Sequence, residues 1–301
     1  MGESLFDMLS DRWHLASKNT ILSEVQVSEE HYSLGNNLYI KMLDSTMNYN
    51  CGYWKEDTKT LEESQINKMD LVARKLKLKP GMKVLDLGCG YGATAKYLAS
   101  KYGVSVVGYN ISTAQVAYAR ESCKGLDVTI HCEDYRKASG KFDRIYSIGF
   151  LEHVGPANFR GYFELVDRCL KDDGITLAHC IVASDQWKVR ALDWTVRYIF
   201  SGGAHLFAPE LLTCAKDLFV VEDVHSLAKS YAKTLTAWEK NFHDNWNELE
   251  PRFGGLVGGR FFRMWNLYLG GSLGLFEARK LQLLQVTYTK IGRKEEYYSV
   301  R

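Results

Sequence analysis

The chain is predicted to be an α/β protein: a doubly wound, mostly parallel sheet, preceded by a helical segment and covered by a helical, aromatic-rich insertion. Three observations predict it. Residues Lys83 to Ser112 read as strand, glycine turn, helix and second strand. Apolar strand patterns and helical patterns then go on alternating to about Ile181. Beyond Ala183 the pattern turns helical and rich in tryptophan and tyrosine.

Taken in order, residues 1–80 read as an N-terminal helical segment. Thr60 with Glu63 three residues on is capping-box spacing. The helix it starts is expected to turn Ile66, Met69, Ala73 and Leu76 inward and to end at Pro80-Gly81. Residues 81–182 are the expected sheet core, with strand candidates Val84–Leu87, Val104–Tyr109, Val128–His131, Arg144–Ile148 and Ile175–Ile181. The first two stand at the spacing of a right-handed βαβ unit. Sheets of this kind hold their ligand beyond the carboxyl ends of the strands, at the switch point. Residues 183–276 are read as a helical substrate-binding cap carrying Trp187, Trp194, Tyr198, Phe200, Trp238, Phe242, Trp246 and Trp265. Within residues 277–301, a last strand, Leu283 to Tyr288, is expected to return to the sheet.

Composition bounds the function. A hydrophobic share of 46% with 25% charged residues is that of a globular enzyme. The net charge of +2 provides no field for gripping nucleic acid. The opening residues MGESLFDMLSDRW carry acids where a leader would have a basic region and a long apolar run, so no secretory signal is expected. The 7 cysteines contain no CxxC pair and no Cys-His zinc spacing, which points to a reducing, cytoplasmic setting, no disulfide frame and no metal.

The glycine turn carries the first chemistry. In Asp86-Leu87-Gly88-Cys89-Gly90-Tyr91-Gly92 the backbone must turn sharply and let a ligand approach with no Cβ in the way. Glycine spacing alone is shared with nicotinamide and flavin enzymes. The acid inside the strand separates them: D-L-G-C-G-x-G resembles motif I of the class I S-adenosylmethionine (SAM) methyltransferases. A dinucleotide needs a helix N-terminus for its pyrophosphate. SAM has no phosphate and presents a charged amino acid and a sulfonium, a cationic partner that suits a nearby Asp86.

Further segments resemble one family, the cyclopropane fatty acid synthases and mycolic acid cyclopropane synthases. They are HYSLGNNLYIKMLDSTMNYNCGYWK (31–55), LDLGCGYGATAKYLASKYGVSVVGYNIS (85–112), FDRIYSIGFLEHVGPANF (142–159), ITLAHCI (175–181), YIFSGG (198–203), SYAKTLTAWEKNF (230–242) and LYLGGSLGLFEARKLQLLQVTY (267–288). Their order and spacing make the match specific. The resemblance implies a Rossmann-like class I methyltransferase fold and transfer of a methylene from SAM to a cis double bond of an unsaturated acyl lipid. An alkene has no proton to lose beforehand, so methyl transfer leaves a carbocation, and ring closure needs a base. In the family that base is a bound bicarbonate.

The residues this implies are Cys51 and Ile181, acting largely through their backbones, with Glu152, His179 and Tyr231. A neutral His and a Tyr hydroxyl can donate to an oxyanion, and the pKa of Glu152 decides its part. Taken singly, each has a plainer reading: Glu152 as the start of a helix, His179 and Tyr231 as core, Cys51 as a buried thiol. Their joint occurrence favours chemistry. For SAM the resemblance implies Tyr49, Asp86, Gly88, Gly90, Asn110, Gln115, Asp134, Ile148 and Gly149, with a neutral ribose contact at Asn110 and Gln115 and the adenine near Asp134. Asn50 stands where the family has Ser, and Ser272 where many members have Cys. The long bacterial synthases carry an N-terminal extension that this sequence lacks. The alternative activity is methyl transfer to another alkene or to an amine, as in related alkaloid N-methyltransferases.

The stretch DQWKVRALDWTVRYIFSGG interleaves Lys188, Arg190 and Arg197 with Trp187, Trp194 and Tyr198. Such a pattern suits a lip against an anionic membrane, peripheral at the inner face. It suits equally a helix packing its tryptophans on the core. A homodimer is a further expectation.

Overall fold

The computed structural model describes residues 36–184, 194–195, 198–199, 206–253 and 259–301. The expectations placed on residues 1–35 and on Trp187, Lys188, Arg190, Arg197 and Phe200 lie outside the described residues.

Among the described residues two helices precede the sheet, α1 (Asn36–Met42) and α2 (Leu61–Lys75). The capping box at α2 is present: Thr60 Oγ1 accepts from the Glu63 N–H, and the Glu63 carboxylate accepts from the Thr60 N–H. The inward stripe differs from the expected one. Met69, Ala73 and Leu76 are buried, but Ile66 is exposed, and the buried stripe includes Leu61, Gln65, Lys68, Val72 and Lys75. The helix also ends before Pro80-Gly81, because Lys77 turns into the left-handed region at φ 50°.

The core alternates β1 (Lys83–Leu87), α3 (Ala93–Tyr102), β2 (Ser105–Asn110), α4 (Thr113–Ser122), β3 (Val128–Cys132), β4 (Phe142–Ile148), α5 (Leu151–Val154), α6 (Phe159–Cys169) and β5 (Leu170–Ala183). After it come β6 (Leu206–Phe207), α7 (Ala208–Cys214), β7 (Phe219–Ser226), α8 (Ala228–Asp244), α9 (Trp246–Phe253), α10 (Arg260–Glu277) and β8 (Leu281–Lys290). The strand order is β3-β2-β1-β4-β5-β8-β7, with β6 paired to the end of β5. Strands β1 to β5 run parallel, and β8 lies antiparallel between β5 and β7. Chain order reverses between β1 and β4, the switch point at which such sheets bind ligands.

Strand alternation sorts the core onto two faces. Leu85, Leu87 and Ile145 join Phe159, Tyr162, Phe163 and Val166, the i, i+3, i+4, i+7 stripe of α6. Val84, Val106 and Tyr146 meet Val72, Leu76, Ala95 and Leu98 of α2, its C-cap and α3. A third apolar cluster of aromatic side chains from α1, α8 and α10 stands apart and includes Cys51 and Tyr231.

One expectation for residues 183–276 is corrected. The block is not helical throughout, since Phe219–Ser226 forms the edge strand β7. As an edge strand it exposes Val220, Val221 and Val224 and buries Phe219 and Asp223. No strict apolar-polar alternation therefore marks it in the sequence.

Candidate active site

The glycine turn opens onto a cavity of about 150 Å³ at the carboxyl ends of β1, β2 and β4. Tyr49, Asp86, Gly88, Gly90, Asn110, Gln115, Asp134, Ile148 and Gly149 all line it. Nine residues named from five separated segments thus meet in one place. Gly88 has φ +84°, and a Cβ there would stand 2.3 Å from the Phe150 ring. Only glycine satisfies both the turn and the contact.

Strand alternation puts Asp86 on the same face as Tyr146, whose hydroxyl donates to its carboxylate at 2.7 Å. Burial pushes the Asp86 carboxyl up to about 7, against the lowering effect of that hydrogen bond. A buried acid with one neutral donor fits a cationic ligand, which would restore its charge. The Asn110 amide donates to Gln115 Oε1 at 2.9 Å and to Gly90 O at 3.2 Å, a neutral pair beside the turn. Asp134 is held by Arg136, which donates through Nε at 2.8 Å and Nη2 at 2.5 Å. The Tyr49 hydroxyl pairs with that of Tyr268 at 2.8 Å, and its ring lies 5.1 Å from Trp238.

The second set gathers beside this cavity. Glu152 opens α5 immediately after the β4 turn, and its Oε1 accepts from the Ile181 N–H of β5 at 2.7 Å. Its Oε2 is buried with no partner among the described residues, and burial pushes the carboxyl up to about 7 against that backbone hydrogen bond. His179, two residues before Ile181 on β5, is fully buried. Burial, then the positive charges of Lys68 and Lys75, hold it well below its ordinary range, so it is neutral. Its Nδ1 lies 3.1 Å from Gln285 Nε2 and its Nε2 lies 2.9 Å from Asn50 Oδ1. Asn50 Oδ1 also accepts from the Cys51 N–H at 2.8 Å. The buried Cys51 thiol donates to Gly52 O at 3.1 Å, and burial raises its pKa, so it is no thiolate nucleophile. Tyr231 stacks on Phe276 at 4.4 Å and meets Trp238 edge-on at 6.1 Å, in the apolar cluster that holds Cys51.

Four residues escaped the sequence reading. Tyr146 holds Asp86, and Gln285 holds His179; both sit in strands where nothing but pairing picks them out. Asn50 entered only as a departure from the family. Lys68 is fully buried, donates to Asn48 Oδ1 at 2.7 Å, and is lowered by burial to about 8 despite the acids Asp44 and Asp86 nearby. A lysine on the inward stripe of α2 was its sequence signal.

A doubly wound sheet with a glycine turn, a buried acid and a cavity at the switch point defines a SAM-dependent methyltransferase. Comparison with known proteins narrows this. Residues 19–286 match the family model described as mycolic acid cyclopropane synthetase, and the chain belongs to that family. It is 45% identical over 264 residues to the cyclopropane-fatty-acyl-phospholipid synthase of Escherichia coli, covering 88% of this chain and 68% of that protein. Among solved structures it superposes on the cyclopropane synthase MmaA2 of Mycobacterium tuberculosis with a TM-score of 0.83 at 29% identity, over 88% of this chain and 98% of that one. The mycolic acid cyclopropane synthase CmaA1, solved with SAH and CTAB, gives 0.82 at 30% identity, over 88% of this chain and 98% of that one. Among the described residues no helix is long and apolar enough to cross a membrane.

Proposed function

We propose that this chain transfers a methylene from SAM to a cis double bond of an unsaturated fatty acyl chain, phospholipid-bound, closing a cyclopropane ring with bound bicarbonate as the base. The observation that carries the reading is Glu152: a buried carboxyl, up to about 7, with one oxygen satisfied by Ile181 and the other without a partner among the described residues. An orphaned buried carboxyl oxygen costs roughly 1–3 kcal/mol or more unless a ligand meets it. A proton donor such as bicarbonate would meet it.

When bound, SAM supplies an electrophilic methyl and bicarbonate a general base. The protein's part is positional. Asp86, Gly88 and Gly90 would hold the cofactor's amino-acid end, and Asn110 with Gln115 would take the ribose. His179 presents Nε2–H as a donor, with Gln285 behind it to keep Nδ1 unprotonated. Glu152 orients the anion through Oε2 while Ile181 N–H holds Oε1 still. The rings of Tyr231, Trp238 and Phe276 form an aromatic wall suited to an acyl chain and to the positive charge that develops on it, and the Tyr231 hydroxyl would donate to the bicarbonate. One condition attaches to the fit: the N–H groups of Cys51 and Ile181 already donate within the protein, to Asn50 and Glu152.

The acceptor would be reached at a lipid surface, through peripheral contact with an anionic membrane; failure to float with anionic liposomes would count against that contact. The test of the reaction is mass spectrometry of lipids from cells expressing the chain and fed methyl-deuterated methionine. A gain of one CH₂ with two deuteriums kept and the alkene lost is the expected result. Three deuteriums kept would mean a methyl branch and would remove the base from the mechanism. Label in amines alone would replace the acyl acceptor altogether.

A further inference from the structure

Two N–H donors from distant parts of the chain converge on one oxygen. The Cys51 backbone donates at 2.8 Å and His179 Nε2 at 2.9 Å, and the oxygen is Asn50 Oδ1. A preorganised pair of this kind is the arrangement that stabilises an oxyanion. Here a neutral carboxamide of the protein takes it. The carboxamide is well seated: the Gln65 amide donates to the Asn50 carbonyl at 2.7 Å and pins the backbone. The side chain also lies over Gly149, where an added Cβ would stand 1.8 Å from Asn50 Nδ2. Gly149, at φ +61°, leaves the room that Asn50 occupies. Both residues line the cofactor cavity. The helix that carries the unpartnered Glu152 Oε2 begins two residues after Gly149.

From this juxtaposition we propose that Asn50 is a positioning residue that closes the Cys51–His179 donor pair in the resting protein and surrenders both donors to an incoming bicarbonate by rotating its side chain. The proposal rests on the bicarbonate reading above. Competition favours the exchange once the anion is present, because hydrogen bonds to a charged acceptor are roughly twice as strong as those to a neutral one. Holding the pair on a protein oxygen also keeps two buried donors satisfied between turnovers, which water would otherwise have to do. The cost is anion affinity: bicarbonate must displace two neutral hydrogen bonds to enter.

The experiment is titration of ¹³C-labelled bicarbonate into the SAH complex, followed by carbon NMR, for the wild type, Asn50→Ser and Asn50→Asp. Turnover against bicarbonate in CO₂-depleted buffer is measured alongside. Asn50→Ser is too short to span the pair, so bicarbonate binding is expected to tighten about tenfold, and half-saturation of turnover to fall with it. Asn50→Asp, nearly the same shape, keeps a permanent anionic oxygen on the same donors and is expected to abolish bicarbonate binding. Tightening in the wild-type-silent case, with binding seen only in Asn50→Ser, also supports closure. Equal bicarbonate affinity in wild type and Asn50→Ser overturns the proposal and leaves the bicarbonate reading intact. No binding and no bicarbonate response in any of the three proteins removes the bicarbonate reading, and this proposal with it.

Discussion

Gln285 matches the tautomer of His179. The two residues are directly paired across β5 and β8, and Gln285 Nε2 lies 3.1 Å from His179 Nδ1. The chain of assignment starts at Asn50 Oδ1, an acceptor because the Cys51 N–H points at it. His179 Nε2 must then carry the proton, and a neutral ring leaves Nδ1 as acceptor for the Gln285 amide. Asn50 thereby fixes the proton on Nε2, and the strand partner Gln285 supports that form from Nδ1.

Replacing Gln285 by Glu reverses the arrangement. A carboxylate there demands a proton on Nδ1, so Nε2 loses its hydrogen and its power to donate. Turnover is expected to fall at least ~10-fold. The histidine ¹⁵N spectrum should report the Nδ1–H form. An unchanged Nε2–H signature would mean that Gln285 is packing alone.

Glu152→Gln and Tyr231→Phe are each expected to leave SAH affinity near wild type and to cut turnover by at least ~10²-fold. In the wild type the reactive ionised Glu152 appears as pH rises through about 7. The turnover profile should climb through that value, and the limb should vanish in Glu152→Gln. Normal turnover in both variants would defeat the assigned roles.

Asp86 is expected to couple cofactor binding to pH. Its folded value of about 7 exceeds its ordinary 3.8, so the native protein holds a proton that the unfolded chain has released. Native stability contributed by this group therefore falls as pH rises from about 4 to about 7, and stays low above. Asp86→Asn is expected to be more stable than wild type above pH 7 without ligand, the difference shrinking toward pH 4. A cationic ligand favours the carboxylate, so SAM affinity of the wild type should rise between pH 6 and pH 8. Calorimetry on Asp86→Asn should show weaker binding, by roughly tenfold, and no such slope.

Lys75 and Asp223 form a buried pair at 2.9 Å that ties α2 to the edge strand β7, with Arg301 donating to the same carboxylate. Lys75→Met removes one partner and strands much of a buried charge. Chemical denaturation should show a loss of about 3 kcal/mol, and a double variant Lys75→Met with Asp223→Leu should recover most of it. Additive losses in the double variant would mean that the two side chains act independently.

The readable part of this protein was local. The turn after β1 requires glycine whatever surrounds it, and the 2.0 and 3.6 residue periods are written by which face each element buries, so the sheet core follows from spacing, while the cofactor-side residues beyond the turn were named from the family resemblance. Edge strand β7 lacked that signal because water, not protein, meets half of its side chains. The same limit hid the polar partners. Nothing in a strand sequence tells Gln285 from any other half-apolar position until β8 is laid antiparallel to β5, and Tyr146 meets Asp86 only across the β1–β4 pair.

The family and the cofactor turn were thus determined by the sequence alone, because glycine geometry and ordered motifs are properties of neighbouring residues, and the same motifs nominated Glu152, His179 and Tyr231. What the tertiary structure decided is the protonation and occupancy of the site. Burial raises Glu152 and Asp86 and neutralises His179, and Asn50 takes the donors of Cys51 and His179, since desolvation and hydrogen-bond partners exist only once distant segments have packed together.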